Sequence, residues 1–428
     1  MKVLLVNSPL RGGGITTYAT ELIKCLSKDH DLTVVLTDDK LSPIKEPGVK
    51  VLYYDTQELS KKNALFFIKL INEELNPDLV ISSHGLIVPI IVPYLNNNIK
   101  VITISHSGKL FSSDYCALNH KYTDTIIAAA SDYNKRYLEK KFCIKDKDKV
   151  KVVYNFLAPN QKLEEYLSQK KNKSIISIIF PGGNMPMKSP DVVLTILYKL
   201  LKSNLNFKFY WTGETSLLPK SKIFSFIKPN DIKQYFKDDR IVFTGKIPSK
   251  TEYDTLLAST NILLAPSRNE GCSMILLEGI RSGSICIVGD YKNGNREIVE
   301  RMNCGYVFNH HHPDVFVKQL VDIISNPASY SELYDNAYQA YKQKFTYPVW
   351  KNSMDEVLSR SSKHKERKTA VSHTRIAFDI LKMKALERND HVQRLICATK
   401  SLLNSLIQGL KMKISGDFPL VSKIKSMQ

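Results

Sequence analysis

A chain of 428 residues with 43% hydrophobic and 24% charged residues exceeds one ordinary core and has the composition of a folded protein of two or three domains. Mean hydropathy of −0.21 excludes a multispan membrane protein, and the longest apolar run, Leu86–Leu95, is too short to span a bilayer and contains Pro89 and Pro93. The net charge of +19 is uneven: residues 361–428 hold 14 Lys/Arg against 5 Asp/Glu, which implies an anionic partner such as phospholipid, nucleic acid or a polyanionic substrate.

The opening MKVLLVNSPLRGGG predicts a strand at Val3–Val6 and a glycine turn; its apolar run is too short for a secretory leader. A helix over Thr16–Leu26 follows, then strands at Leu32–Leu36 and Val49–Tyr54, and a helix over Leu65–Leu75 that stops before Asn76-Pro77. Strands at Leu79–Ser82, Val101–Ile104, Thr125–Ala129 and Val150–Val153 continue the series. Around residues 158–173 the chain turns polar and lysine-rich, which reads as the joint between two lobes. A second series has strands at Ile175–Phe180, Phe207–Thr212, Ile241–Phe243, Asn261–Ala265 and Ile285–Val288. Alternation of strand and helix is the pattern of parallel α/β domains, and two such lobes leave a cleft that is the default ligand site. Seven scattered cysteines, with no C-x-x-C pair, read as reduced core thiols and give no zinc site.

Several side chains fall at the carboxyl ends of predicted strands, where open α/β sheets hold their ligands. Arg11-Gly12-Gly13-Gly14 lies between the first strand and its helix, so backbone amides there can approach an anion, although a glycine turn alone is more often just a turn. His84 and His106 each end a strand; His106 is the better candidate to donate to a sugar hydroxyl or phosphate, and His84 reads as structural. The run His310–His312 reads as a surface loop, because adjacent side chains do not form a tetrahedral metal set. Lys188 sits in the loop PGGNMPMKSPD after the first strand of the second lobe, near a helix N-terminus, where an ammonium can neutralise a departing diphosphate. In PSRNEGCSMILLEGIRSGSICIVGD, Glu270 falls on a loop and Glu278 in the second turn of a helix that Ser273 can cap, so both carboxylates lie at one end of a sheet and can accept from sugar hydroxyls.

Together these motifs resemble the retaining glycosyltransferases of family 4, over residues 1 to 358 in order. The matching points are Gly12–Gly14, His106, Val153-Tyr154-Asn155, Gly182 with Lys188, P-S-x-x-E-G-x7-E from Pro266 to Glu278, Asn293–Glu297, Gly305, and Phe345–Leu358, which is similar to the family's closing helix. The resemblance implies a GT-B fold: an acceptor-side Rossmann-like lobe at 1–160, a nucleotide-sugar-binding Rossmann-like lobe at 173–344, and a crossover helix at 345–358. It implies that Glu270 contacts the donor sugar and Glu278 the ribose. It also implies that Lys188 and the Gly13-Gly14 amides hold the donor phosphates and that His106 faces the transferred sugar. Gly182 and the segment Gly271-Cys272-Ser273 complete the implied donor site. There are two departures. Gly183 replaces a common arginine, so one phosphate clamp is missing or comes from Arg11 or Arg268, and Ser107 replaces an aspartate.

No carboxylate offers itself as a double-displacement nucleophile and no D-x-D metal-binding pair suited to a nucleotide-sugar site appears, so the expectation is metal-independent front-face substitution, with the nucleotide sugar as co-substrate and no cofactor. The expected acceptor is a glycan or a lipid-linked glycan, in cell-surface polysaccharide or glycoconjugate synthesis. The expected location is cytoplasmic, with peripheral contact at the inner face of the plasma membrane. The alternatives are a sugar-nucleotide epimerase or hydrolase of the same fold, and a non-catalytic scaffold that binds without turnover. A nucleic-acid partner is not expected, because no recognition motif accompanies the charge. Residues 361–428, outside the resemblance, form a basic helical extension with helices at Val371–Leu386 and Val392–Ile414. The second carries a leucine-rich stripe that suits either an anionic membrane surface or packing on protein; Phe66 and Phe67 beside Lys61 and Lys62 pose the same choice.

Overall fold

The computed structural model describes residues 1–7, 14–36, 44, 46–54, 59–83, 85–106, 114–129, 131–160, 163–183, 185–215, 238–268, 270–291, 293–309, 313–360, 366–389, 392, 395 and 399. They form two compact units. One comprises Met1–Ala158, Glu270–Met274 and Lys344–His391; the other comprises Pro159–Asn269, Ile275–Gln343 and Val392–Gln428.

The first unit holds a seven-stranded, all-parallel sheet: β1 (Lys2–Asn7), β2 (Asp31–Leu36), β3 (Lys50–Tyr53), β4 (Leu79–Ser83), β5 (Lys100–Ser105), β6 (Thr125–Ala128) and β7 (Val150–Val152), in the order β3-β2-β1-β4-β5-β6-β7. Its strands are apolar on both faces because helices cover both. Along β1 the side chains alternate between two cores: Leu4 and Val6 point to one, Val3 and Leu5 to the other. The second of these cores also takes Tyr18, Leu22 and Leu26 of helix Gly14–Asp29, and Trp350, Met354 and Val357 of helix Tyr347–Ser359. Lys100 Nζ ties the end of that last helix to β5, donating to the carbonyls of Val357, Leu358 and Arg360 at 3.2, 2.6 and 2.7 Å.

The helix expected over Leu65–Leu75 begins earlier, at Lys61 behind the Ser60 cap, and widens into a π turn over Leu70–Leu75. Asn72 sits in that turn, donating to the Tyr94 carbonyl at 2.9 Å and accepting from the Asn96 amide at 2.9 Å, and Asn76 ends it in the left-handed region. Phe67 is buried, so it belongs to the core, while Phe66 is 40% exposed.

The chain beyond the closing helix also belongs to the first unit. Ile376, Ile380 and Met383 of a helix over 373–389 join the core that contains Leu4 and Val6. Ahead of it, the Arg367 guanidinium is almost fully enclosed: it donates to the Asn96 and Ile99 carbonyls, both at 2.7 Å, to the Tyr122 carbonyl at 3.2 Å, and to Asp124 Oδ2 at 3.2 Å. Burial draws the Arg367 pKa down to about 10, with the Asp124 carboxylate opposing the shift. The first predicted helix of the extension is therefore packed on protein along one face. The second, apart from residues 392, 395 and 399, lies outside the described residues.

The second unit holds a six-stranded parallel sheet, β10-β9-β8-β11-β12-β13, built from β8 (Ile176–Phe180), β9 (Phe207–Thr212), β10 (Ile241–Gly245), β11 (Ile262–Ala265), β12 (Ile285–Gly289) and β13 (Gly305–Phe308). Its core contains Phe180, Phe207, Phe209 and Trp211. The lysine-rich stretch before β8 forms a helix, Leu163–Lys171, and Lys170 is fully buried, with Nζ donating to the Leu257 carbonyl and to Ser284 Oγ. Burial pulls its pKa well down. No helix among the described residues is long and apolar enough to cross a membrane.

Candidate functional site

In the first sheet the strand order reverses between β1 and β4, and of the predicted residues of this lobe Gly14 follows β1 and His106 follows β5. The Nε2 of His106 lies 3.0 Å from Ser83 Oγ at the end of β4, and its ring meets the edge of Tyr18 at a centroid distance of 4.8 Å and an interplanar angle of 70°. The imidazole is thus held from two sides in one orientation. Gly14 opens the helix after β1; Arg11, Gly12, Gly13, His84, Ser107 and His310–His312 lie outside the described residues.

In the second sheet the reversal falls between β8 and β11, the two strands whose loops carry Lys188 and Glu270. Lys188 ends a short 3-10 turn, Pro186–Lys188, and Ser189 then takes a left-handed φ of 59° to start helix Pro190–Leu201. Arg268, in the loop after β11, fastens that turn. Its amide donates to the Met187 carbonyl at 2.9 Å, Nη1 to the Pro186 carbonyl at 2.9 Å, and its two terminal nitrogens fork onto Asp191 at 2.9 and 2.6 Å. The Arg268 and Asp191 side chains are only 8% and 2% exposed. Of the alternatives left for the clamp (missing, or supplied by Arg11 or Arg268), Arg268 has its guanidinium engaged with Asp191 and the Lys188 turn, the buried aspartate taking a charged, bidentate partner.

Beside this turn lies a cavity of about 430 Å³ at the carboxyl ends of β8, β9 and β10, lined by residues including Gly182, Gly183, Thr212, Glu214, Lys246 and Tyr253. Glycine is required on its floor. A Cβ on Gly182 would lie 2.2 Å from the Phe180 ring, and Gly183 has a φ of 54° with a virtual Cβ 3.1 Å from the backbone of Glu214. Gly183, where the family commonly has arginine, thus meets a local backbone demand. Gly213, just after β9, and Gly245, the last residue of β10, also have positive φ, and the Gly213 amide donates to the Gly245 carbonyl at 2.8 Å. The repeated Thr-Gly at residues 212–213 and 244–245 is the signal in the sequence that marks this rim.

Glu278 lies in the second turn of helix Met274–Arg281, and Tyr253 OH donates to its Oε2 at 3.2 Å. Burial raises the Glu278 pKa, opposed by Arg281 and by the Tyr253 bond. Tyr253, a wall of the cavity, thus joins it to a predicted ligand residue, and sequence spacing gave no hint of the pair. Glu270 is half-buried, Gly271 and Ser273 are buried, and the Cys272 thiol is 4% exposed, its pKa raised by burial and then by the Glu270 carboxylate. A neutral buried thiol is no nucleophile.

The raised Glu278 pKa has a definite sign. The folded state disfavours the carboxylate, so stability is fullest below the ordinary carboxyl pKa and falls as pH rises through the folded value. Glu278→Gln should therefore gain in melting temperature relative to the parent between about pH 5 and about pH 8, while its affinity for a hydroxyl-donating ligand drops. Melts of both proteins at the two pH values check this; a difference that shrinks toward high pH contradicts it.

Residues 161–340 match the family described as glycosyl transferases group 1, and residues 12–161 match glycosyltransferase family 4. An uncharacterized glycosyltransferase of Methanocaldococcus jannaschii is 23% identical over 353 residues, covering 78% of this chain and 91% of that protein. One from Haemophilus influenzae is 25% identical over 185 residues, covering 43% of this chain; the chain aligns with 47% of that relative, about half its length. Among solved structures, Anabaena HepE in complex with UDP-glucose superposes with a TM-score of 0.63 at 15% identity, covering 84% of this chain and 99% of that one. The lipopolysaccharide outer core galactosyltransferase WaaB gives 0.61 at 16% identity, again covering 84% and 99%. With the two family matches running contiguously from residue 12 to residue 340 over two parallel sheets, the chain belongs to the group 1 glycosyltransferases of family 4 type, with the GT-B fold.

Proposed function

We propose that the protein transfers a sugar from a nucleotide-sugar donor, with retention of anomeric configuration, to a glycan or lipid-linked glycan acceptor in cell-surface polysaccharide or glycoconjugate synthesis. The observation that carries this reading is the cavity at the β8, β9 and β10 ends, with Lys188 on its flanking loop and the Tyr253–Glu278 pair at its wall. Its volume suits a nucleotide. The occurrence of UDP and UDP-glucose in the HepE complexes supports a nucleotide diphosphate sugar as donor. Glu278 accepts from the ribose, Glu270 from the donor sugar, and Lys188 with the Gly13-Gly14 amides and the Ser273 helix terminus offsets the diphosphate charge.

In the reaction, the bond between the anomeric carbon and the diphosphate oxygen breaks while the acceptor hydroxyl oxygen bonds to that carbon from the same face. The hydroxyl proton passes to the departing phosphate oxygen, giving glycoside and nucleoside diphosphate. His106, its ring oriented by Ser83 and Tyr18, takes the role that the family resemblance implies, toward the transferred sugar. No residue of the chain forms a covalent intermediate, and the reaction proceeds without a metal ion. The enzyme works on the cytoplasmic side, peripheral to the inner face of the plasma membrane.

Thermal-shift titration with UDP-, GDP- and ADP-sugars tests the donor assignment. The correct donor at 100 times its dissociation constant stabilises the protein by about 2.7 kcal/mol. A protein indifferent to all three contradicts the assignment, and donor breakdown or epimerisation with no acceptor present identifies the hydrolase or epimerase instead. NMR of the product's anomeric proton decides retention.

A further inference from the structure

Helix 373–389 lies beyond the residues that match the family, and it is two-faced. Its inner side, Ile376, Asp379, Ile380 and Met383, is buried in the first unit. At 100° per residue, the side directly opposite carries Phe378, Leu381 and Ala385. Phe378 and Leu381 are 49% and 65% exposed. A helix seated on a protein by one face ordinarily presents polar residues on the other. Here the outer face is an apolar ridge.

The ridge has cationic borders. Arg375 and Lys382 lie on one edge, over the Phe378 ring at 5.8 and 4.7 Å, and the exposed Lys384 and Arg388 lie on the other. The two acidic residues of the helix are turned away from it. Asp379 is buried, bonded by Asn119 and Arg375, and Glu387 falls on the side of the buried face. An apolar line between two rows of cations complements an anionic bilayer interface, where rings and leucines enter the acyl boundary and Lys and Arg stems reach the headgroup phosphates.

We propose that the outer face of helix 373–389 is a docking surface for anionic phospholipid, with Phe378 and Leu381 inserted and Lys382, Lys384 and Arg388 at the phosphates. This locates the membrane contact assumed in the functional reading, and its test needs neither donor nor turnover, so either can fail alone. The full chain is floated with vesicles of phosphatidylcholine, with and without phosphatidylglycerol. Binding should appear only with phosphatidylglycerol and weaken as salt is raised. Phe378→Ser with Leu381→Ser, and separately Lys382, Lys384 and Arg388→Gln, should each reduce that binding about tenfold or more with melting temperature unchanged. Equal binding to neutral vesicles, no binding at all, or variants that bind like the parent would overturn the proposal. So would a ridge variant that loses only self-association in sedimentation, which would make a second copy the occupant.

Discussion

Replacing Arg367 with alanine should lower the stability of the first unit by about 3–5 kcal/mol, because it removes the hydrogen-bonded charged partner of the buried Asp124 carboxylate and leaves it only the through-space attraction of Lys100 and Lys149. Asp124 Oδ2 keeps the Val101 amide at 2.7 Å, but three carbonyls, those of Asn96, Ile99 and Tyr122, lose their charged donor together. The same substitution frees the anchor that precedes helix 373–389, so Ile376, Ile380 and Met383 lose their hold on the core as well. Chemical denaturation reads the cost. Pairing Arg367→Met with Asp124→Leu should recover only the part due to the stranded charge, since the three carbonyls stay without Arg367 and the Val101 amide loses its acceptor too. A single mutant within about 1 kcal/mol of the parent would refute the account, as it would place Arg367 at an ordinary surface site.

The second large effect is on turnover. Lys188→Ala should reduce kcat about 10²–10³-fold if its ammonium offsets charge on the leaving diphosphate. Arg268→Lys should produce a loss of similar kind without touching the donor, because lysine cannot fork onto Asp191 and also reach the Pro186 carbonyl. If Arg268 acts through the Lys188 turn, the double variant is no slower than Lys188→Ala alone. Multiplying losses would instead give Arg268 its own contact with the donor. A Lys188→Ala enzyme with normal turnover would remove the leaving-group role altogether.

The strands were legible because both sheets are parallel and covered on both faces, so their cores read as unbroken Val, Ile, Leu and Phe runs. Glu270, Glu278, Lys188 and His106 were legible for a related reason: each lies just after a strand or in the helix that follows, and position along the chain fixes which end of the sheet it occupies. Pairings across the fold were not legible. Tyr253 meets Glu278 from 25 residues away and Arg268 meets Asp191 from 77, distances at which no period or spacing operates. Basic stretches misled for another reason. Lys170 and Arg367 sit in runs that look solvated, yet both are buried, each donating to backbone carbonyls at a helix end or in a loop.

The first unit is assembled from Met1–Ala158 and Lys344–His391, with everything between them belonging mainly to the second. During synthesis, the β1–β7 sheet emerges well before Trp350, Met354 and Ile376, which close its two cores. The later lobe has all its strands outside the ribosome before the earlier one is sealed. Until residues 350–383 are made, the nascent first sheet lacks the apolar side chains that complete both of its cores, Trp350, Met354 and Val357 on one face and Ile376, Ile380 and Met383 on the other.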